Sequence, residues 1–181
     1  VFPDSPTNRT SNNNIAGLSV ASVTVTTMNS GAAYDFIGNG ITLTGPITFS
    51  NPGVGTGSGD PNWAIPITLG ASITMTSDGR VTPFNATIGL GANTLTIAGS
   101  GDLWLSGIVS GTGGITKNSS SAFQLFGANT YSGATLVNSA TIFARNAAAF
   151  GSSATGTTFA NGAGLGVLSG PYALNEPLAF Q

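Results

Sequence analysis

Apolar and polar residues alternate along this chain in short runs that break and resume at glycine, proline or asparagine. "LSVASVTVTT" presents Leu18 and Val20, slips, then presents Val23 and Val25, which predicts a strand with a bend or bulge. "GITLTGPITFS" sets Ile41 and Leu43, turns at Gly45-Pro46, then sets Ile47 and Phe49. The layout returns with Ile65, Ile67 and Leu69, a Gly70 break, then Ile73 and Met75. It returns again with Ile88 and Leu90, a Gly-Ala-Asn break, then Leu95 and Ile97. A period of two is that of a strand with one buried face. Thr, Ser, Val, Ile, Asn and Gly dominate, all weak helix formers. Only the Ala-rich stretch 144–151 is expected to close a single helical turn, ended by Gly151.

These units resemble one another. Two short strands, a corner and a looser return recur with a spacing of a little over twenty residues, first strands aligning Ile41, Ile65 and Ile88 and second strands Ile47, Ile73 and Leu95. This is the signature of a solenoid whose units bury their faces by stacking. An antiparallel β-sandwich also uses short strands and frequent turns, and is the alternative. Corners such as Gly45-Pro46 and Gly70-Ala71 bend a strand run rather than reverse it. Thr, Ser and Asn recur at like positions, as stacked ladders require. Both features favour a parallel β-helix of about seven rungs, an estimate from the unit length. Residues 1–14 are expected to form an extended arm, and residues 15–181 a single solenoid domain.

Charge changes the picture by its scarcity. Only 6% of the 181 residues are charged, with a net charge of -2. The cations Arg9, Arg80, Lys117 and Arg145 are scattered, whereas a phosphate backbone needs clustered Lys and Arg, so nucleic acid is not expected as a partner. No apolar run is long enough for a membrane-spanning helix. Cys and His are both absent, which removes disulfides, thiolate metal sites and the commonest acid-base residue. No cofactor is expected, and neither is much titration near neutrality.

The stretch 110–144, "SGTGGITKNSSSAFQLFGANTYSGATLVNSATIFA", is the most specific. Gly113, Gly114, Ile115, Thr116 and Lys117 open it; Phe123, Leu125, Gly127, Asn129, Thr130, Tyr131 and Gly133 follow; Thr135, Val137, Asn138 and Ile142 close it. This order resembles the autotransporter-associated β-strand repeat of bacterial surface proteins. Departures are Ser119 to Ser121, Ala134 and Ala140, where that family usually shows Gly. The resemblance implies a right-handed parallel β-helix, exported to the cell surface or medium, mainly structural and without catalytic residues. It implies turn and ladder roles for Gly113, Gly114, Asn129, Tyr131, Gly133 and Asn138. Asn129 would bond backbone groups, Tyr131 would pack over the coil end, and Gly133 would supply a special φ or a close backbone approach.

Candidate chemistry is sparse. No two of the six carboxylates lie within ten residues of each other, and stacking could bring only Asp60, Asp78 and Asp102 together. Single turn residues are the simpler reading of these. "GTGSGD" (55–60) is similar to one copy of a calcium-binding glycine-aspartate repeat, which needs tandem copies. Trp63 and Trp104 could face a ligand as a sugar-stacking platform, or fill core corners. Asn-x-Ser/Thr sequons begin at Asn8, Asn85 and Asn118.

Three functions are weighed. The first is an extracellular structural solenoid whose uncapped rungs stack head-to-tail into a filament or surface layer, its partner being itself. The second is an adhesin module binding glycans or cell surfaces through Trp63, Trp104 or loop 51–62. The third is a polysaccharide-acting enzyme, which the separated carboxylates disfavour.

Overall fold

The computed structural model describes residues 10–26, 34–50, 62–79, 81–168, 170 and 172–181. Arg80, Asp60 and the 55–60 glycine-aspartate stretch lie outside the described residues, as do Asn8 and most of loop 51–62. The described residues form 21 strands and no helix. Every strand pairing is parallel, which sets aside the antiparallel sandwich.

The chain winds through three faces in order. The first face comprises Thr10–Asn13, Asp35–Gly38, Asn62–Trp63 and Thr82–Phe84, then Leu103–Leu105, Phe123–Leu125, Thr141–Ala144 and Gly164–Val167. The second comprises Leu18–Val20, Ile41–Leu43, Ile67–Leu69, Ile88–Gly89 and Val109–Ser110. The third comprises Val23–Thr26, Ile47–Ser50, Ile73–Asp78 and Leu95–Ala98, then Ile115–Lys117, Thr135–Val137, Thr157–Phe159 and Leu178–Phe180. The first and third faces are eight strands deep, so about seven turns separate the first rung from the last. Thr10–Asn13 is laddered to Asp35–Gly38, so four residues of the expected arm join the first face.

Alternation decides which side chains enter the coil. Ile41, Leu43, Ile47, Phe49, Ile67, Leu69, Ile73 and Met75 are all buried, with Thr42, Thr48, Thr68 and Thr74 facing out between them. Full burial of each Leu, Ile or Phe side chain contributes about 1.5–3 kcal/mol. On the first face Phe36, Trp63 and Phe84 lie in register and stack, with centroids 5.1 and 5.6 Å apart.

The register differs from the sequence spacing at two places. Spacing sets Ile65 level with Ile41 and Ile88, whereas Ile67 is the partner of both. Ile47 pairs with Met75 rather than Ile73, while Ile73 pairs with Leu95. The strand Ile73–Asp78 is six residues long, so it meets one neighbour through its C-terminal end and the other through its N-terminal end. Below it the spacing tightens: Ile115, Thr135, Thr157 and Leu178 are successive partners.

The second face ends after five strands. From there the rungs are closed by irregular segments at 126–134, 145–156 and 172–177. The backbone still ladders in part, since Thr130 N–H donates to Val109 O and Ser132 N–H to Gly111 O, both at 2.9 Å. The Ala-rich stretch forms a turn, not a helix, and Gly151 leaves it at φ +79.

Candidate functional site

The repeat-like stretch is placed where the second face gives out. Asn129 is buried, and its side chain substitutes for a peptide group. Val109 N–H donates to its Oδ1 at 2.8 Å, while its Nδ2 donates to Ala149 O at 2.6 Å. One amide thus joins the rung before and the rung after. Tyr131 does not cover a coil end; it points into the coil, fully buried, and shares a 2.7 Å hydrogen bond with Thr135 Oγ1. Burial pushes its phenol well above the ordinary range.

Gly133 is needed for close approach and not for a special φ. A Cβ there would lie 2.4 Å from the carbonyl carbon of Gly113. A Cβ on Gly113 would meet Asn93 O at 1.8 Å, and one on Gly114 would meet Ala134 O at 2.3 Å. Ala140, by contrast, stands where the resemblance expects Gly, and it is the one non-glycine residue at positive φ, +51, among the described residues. Asn138 is exposed and donates through Nδ2 to Asn118 Oδ1 at 2.8 Å, an external ladder that includes the Asn118 sequon. The Asn85 sequon is tied likewise, donating to Asn62 Oδ1 at 2.7 Å.

The carboxylates act as corner fasteners. Asp78 Oδ1 accepts from Ser100 N–H at 3.1 Å. Asp102 Oδ1 accepts from Ala122 N–H at 3.0 Å and from the Ser121 hydroxyl. Among the described residues no three acidic side chains converge as a metal site would need. An open pocket of about 310 Å³, walled by Asn12, Ile15, Leu18, Phe36, Ile41 and Trp63, lies at the first rungs of the coil.

Lys117 is the departure that composition did not foretell. Register places it inside the coil, between Ile97 and Val137, and it is fully buried. Its ammonium donates to Ser119 O and Ser139 O, both at 2.8 Å. Burial lowers its pKa from 10.5 to about 8, with Asp102 opposing the shift. A group titrating just above neutrality therefore sits in a chain without His.

The two tryptophans do not make a joint platform. Trp63 is 2% exposed, its indole N–H donates to Ile65 O at 2.7 Å, and Phe49 meets it edge-on. Trp104 faces outward on the first face and is half-buried. It belongs to a rank that runs Pro83, Trp104, Gln124, Phe143, Gly166 down the coil. Beside this rank, Phe126 lies 5.9 Å from Trp104, and the Arg145 guanidinium covers Phe126 at 5.2 Å. Gln124 faces outward yet is only 7% exposed, and its Oε1 accepts from Arg145 Nε at 3.0 Å and Nη2 at 2.7 Å. Phe143 lies over Gly166, where a Cβ would come within 2.2 Å of its ring. Alternation marked Trp104 as outward only once its register was known. Phe126, Phe143 and Arg145 carried no signal of their own, because their meeting depends on stacking rungs about twenty residues apart.

Comparison with known proteins gives one relationship of weight. Over 101 residues the chain is 40% identical to the adhesin BmaC autotransporter of Brucella suis biovar 1 (strain 1330). The match takes in 55% of this chain and 3% of that protein. No protein-family model matches the chain, and neither does any solved structure. The chain is thus a parallel β-solenoid related to part of an autotransporter adhesin.

Proposed function

We propose that this chain is a β-solenoid of the adhesin passenger type, displayed on a bacterial cell surface as a stiff, non-catalytic stalk whose outer faces meet glycans or other cells. The observation that carries this reading is the 40% identity to a protein named as an autotransporter adhesin. The physical character of the fold agrees with it. Each rung adds about 4.8 Å, so seven turns give a rod of roughly 35 Å. Ladders running the length of the first and third faces, and an interior of stacked apolar residues that encloses the ammonium of Lys117, keep that rod straight with little dependence on salt. Of the two leading readings drawn from the sequence, display as an adhesin is preferred to a head-to-tail filament, because the related protein is named an adhesin.

Antibodies raised against the purified chain test the reading on intact cells of the source organism. Labelling before permeabilisation is expected. Labelling only after the envelope is opened would overturn it.

A further inference from the structure

We propose that the outer flank of the first face, at Trp104, Phe126, Phe143 and Arg145, is a binding site for an acidic saccharide; the proposal rests on the adhesin reading and names its ligand class. Three observations carry it. The first is placement: Trp104, Phe126 and Phe143 are outward aromatic side chains, each half-buried, gathered on one flank of three consecutive rungs. Trp104 and Phe143 are two ladder steps apart on one rank, about 10 Å by strand spacing. An oligosaccharide lying along the coil axis would meet both, its ring C–H groups against the aromatic faces.

The second observation is charge. Among the described residues the cationic side chains are Lys117 and Arg145, and Lys117 is enclosed within the coil. Arg145 is therefore the cation of the described surface. A single guanidinium beside aromatic rings matches a single carboxylate on a pyranose ring. Nucleic acid would need a row of such cations.

The third is preorganisation. Gln124 is more than nine-tenths buried although it points outward, and it grips Arg145 through two N–H groups while Phe126 supports the guanidinium plane. Gly166 leaves the space into which Phe143 lies. The site is set before a ligand arrives, so binding spends little on ordering side chains.

The test uses the full chain and two probes, a trimer of galacturonic acid and its methyl ester, measured by titration calorimetry at low salt. The acid trimer is expected to bind and to weaken as sodium chloride is raised. The ester, which keeps the rings and removes the charge, is expected to bind at least about tenfold more weakly, roughly 1.4 kcal/mol. Trp104→Ala and Arg145→Gln should each lose tenfold or more while unfolding at temperatures near the parent's. Arg145→Lys keeps the charge and should retain the preference for acid over ester, which guards against a folding defect in Arg145→Gln. Equal binding of ester and acid would overturn the acidic class. Binding untouched by Trp104→Ala, or no binding at all, would overturn the site. In each of those cases surface labelling of intact cells would still stand or fall separately, so failure of the site and failure of the adhesin reading are told apart.

Discussion

The side-chain oxygen of Asn129 takes the backbone N–H of Val109 at 2.8 Å, one rung away. The same side chain hands a hydrogen bond on to Ala149 O at 2.6 Å, so the amide stands in for a peptide where the second face stops. Asn129→Leu would leave a buried N–H and a buried C=O without partners. Each orphaned group costs about 1–3 kcal/mol, so a loss of roughly 2–5 kcal/mol is expected in denaturant unfolding. A loss below about 1 kcal/mol would mean that water replaces the side chain.

Ala140 gives a prediction of the opposite sign. An L-residue in the left-handed region costs about 1–2 kcal/mol, and glycine's extra freedom in the unfolded chain returns about 0.5–1 kcal/mol of that. Ala140→Gly, relieving the φ of +51, should raise stability by up to about 1 kcal/mol, read as an increased unfolding midpoint.

The two tryptophans should part company on truncation. Trp63 is sealed between Phe36 and Phe84, so Trp63→Ala should cost about 3–5 kcal/mol. Trp104, half-buried on the outer face, should cost about 1 kcal/mol. Parallel thermal melts of the two variants check the difference.

Lys117 should shape the alkaline pH profile. Its folded pKa, about 8, lies below its ordinary 10.5, so between these values the unfolded chain holds the extra proton. Stability should therefore rise with pH from about 8 towards 10.5, with a slope no greater than about 1.4 kcal/mol per pH unit. Tyr131, whose pKa is raised by burial, acts in reverse: the unfolded chain ionises first, and stability should fall above about pH 10. Glu176 is also raised by burial, so it favours the fold in acid and gives up that contribution as pH climbs through its folded value. Unfolding measured from pH 7 to 10 in the parent and in Lys117→Met checks the assignment, because the variant should lose the rise.

Much of the architecture was legible in the chain. Alternation at Ile41, Leu43, Ile47 and Phe49 fixes which side faces in, and the Gly45-Pro46 break falls at a corner between two faces. The register was harder. Equal spacing aligned Ile47 with Ile73, but a strand two residues longer than its neighbour, Leu95–Ala98, lets Met75 take that place. Periodicity constrains the face of a residue and leaves its partner free by steps of two. The buried Lys117 follows the same inward alternation as Ile115, yet its charge made a surface position the natural expectation. The Trp104 flank was legible least, because it is assembled from three rungs that no local window spans.

The early end of the second face divides the solenoid into unlike halves. The upper five rungs are closed on three sides by backbone ladders, whereas the lower three are closed by loops stitched through single side chains such as Asn129. Rungs contact only their neighbours, so tension along the axis would release them one at a time, beginning with the lower set. Each released rung of about twenty residues pays out roughly 70 Å of chain. A coil built this way lengthens stepwise under load rather than parting at once, and it carries its weakest seams in the loop-closed half.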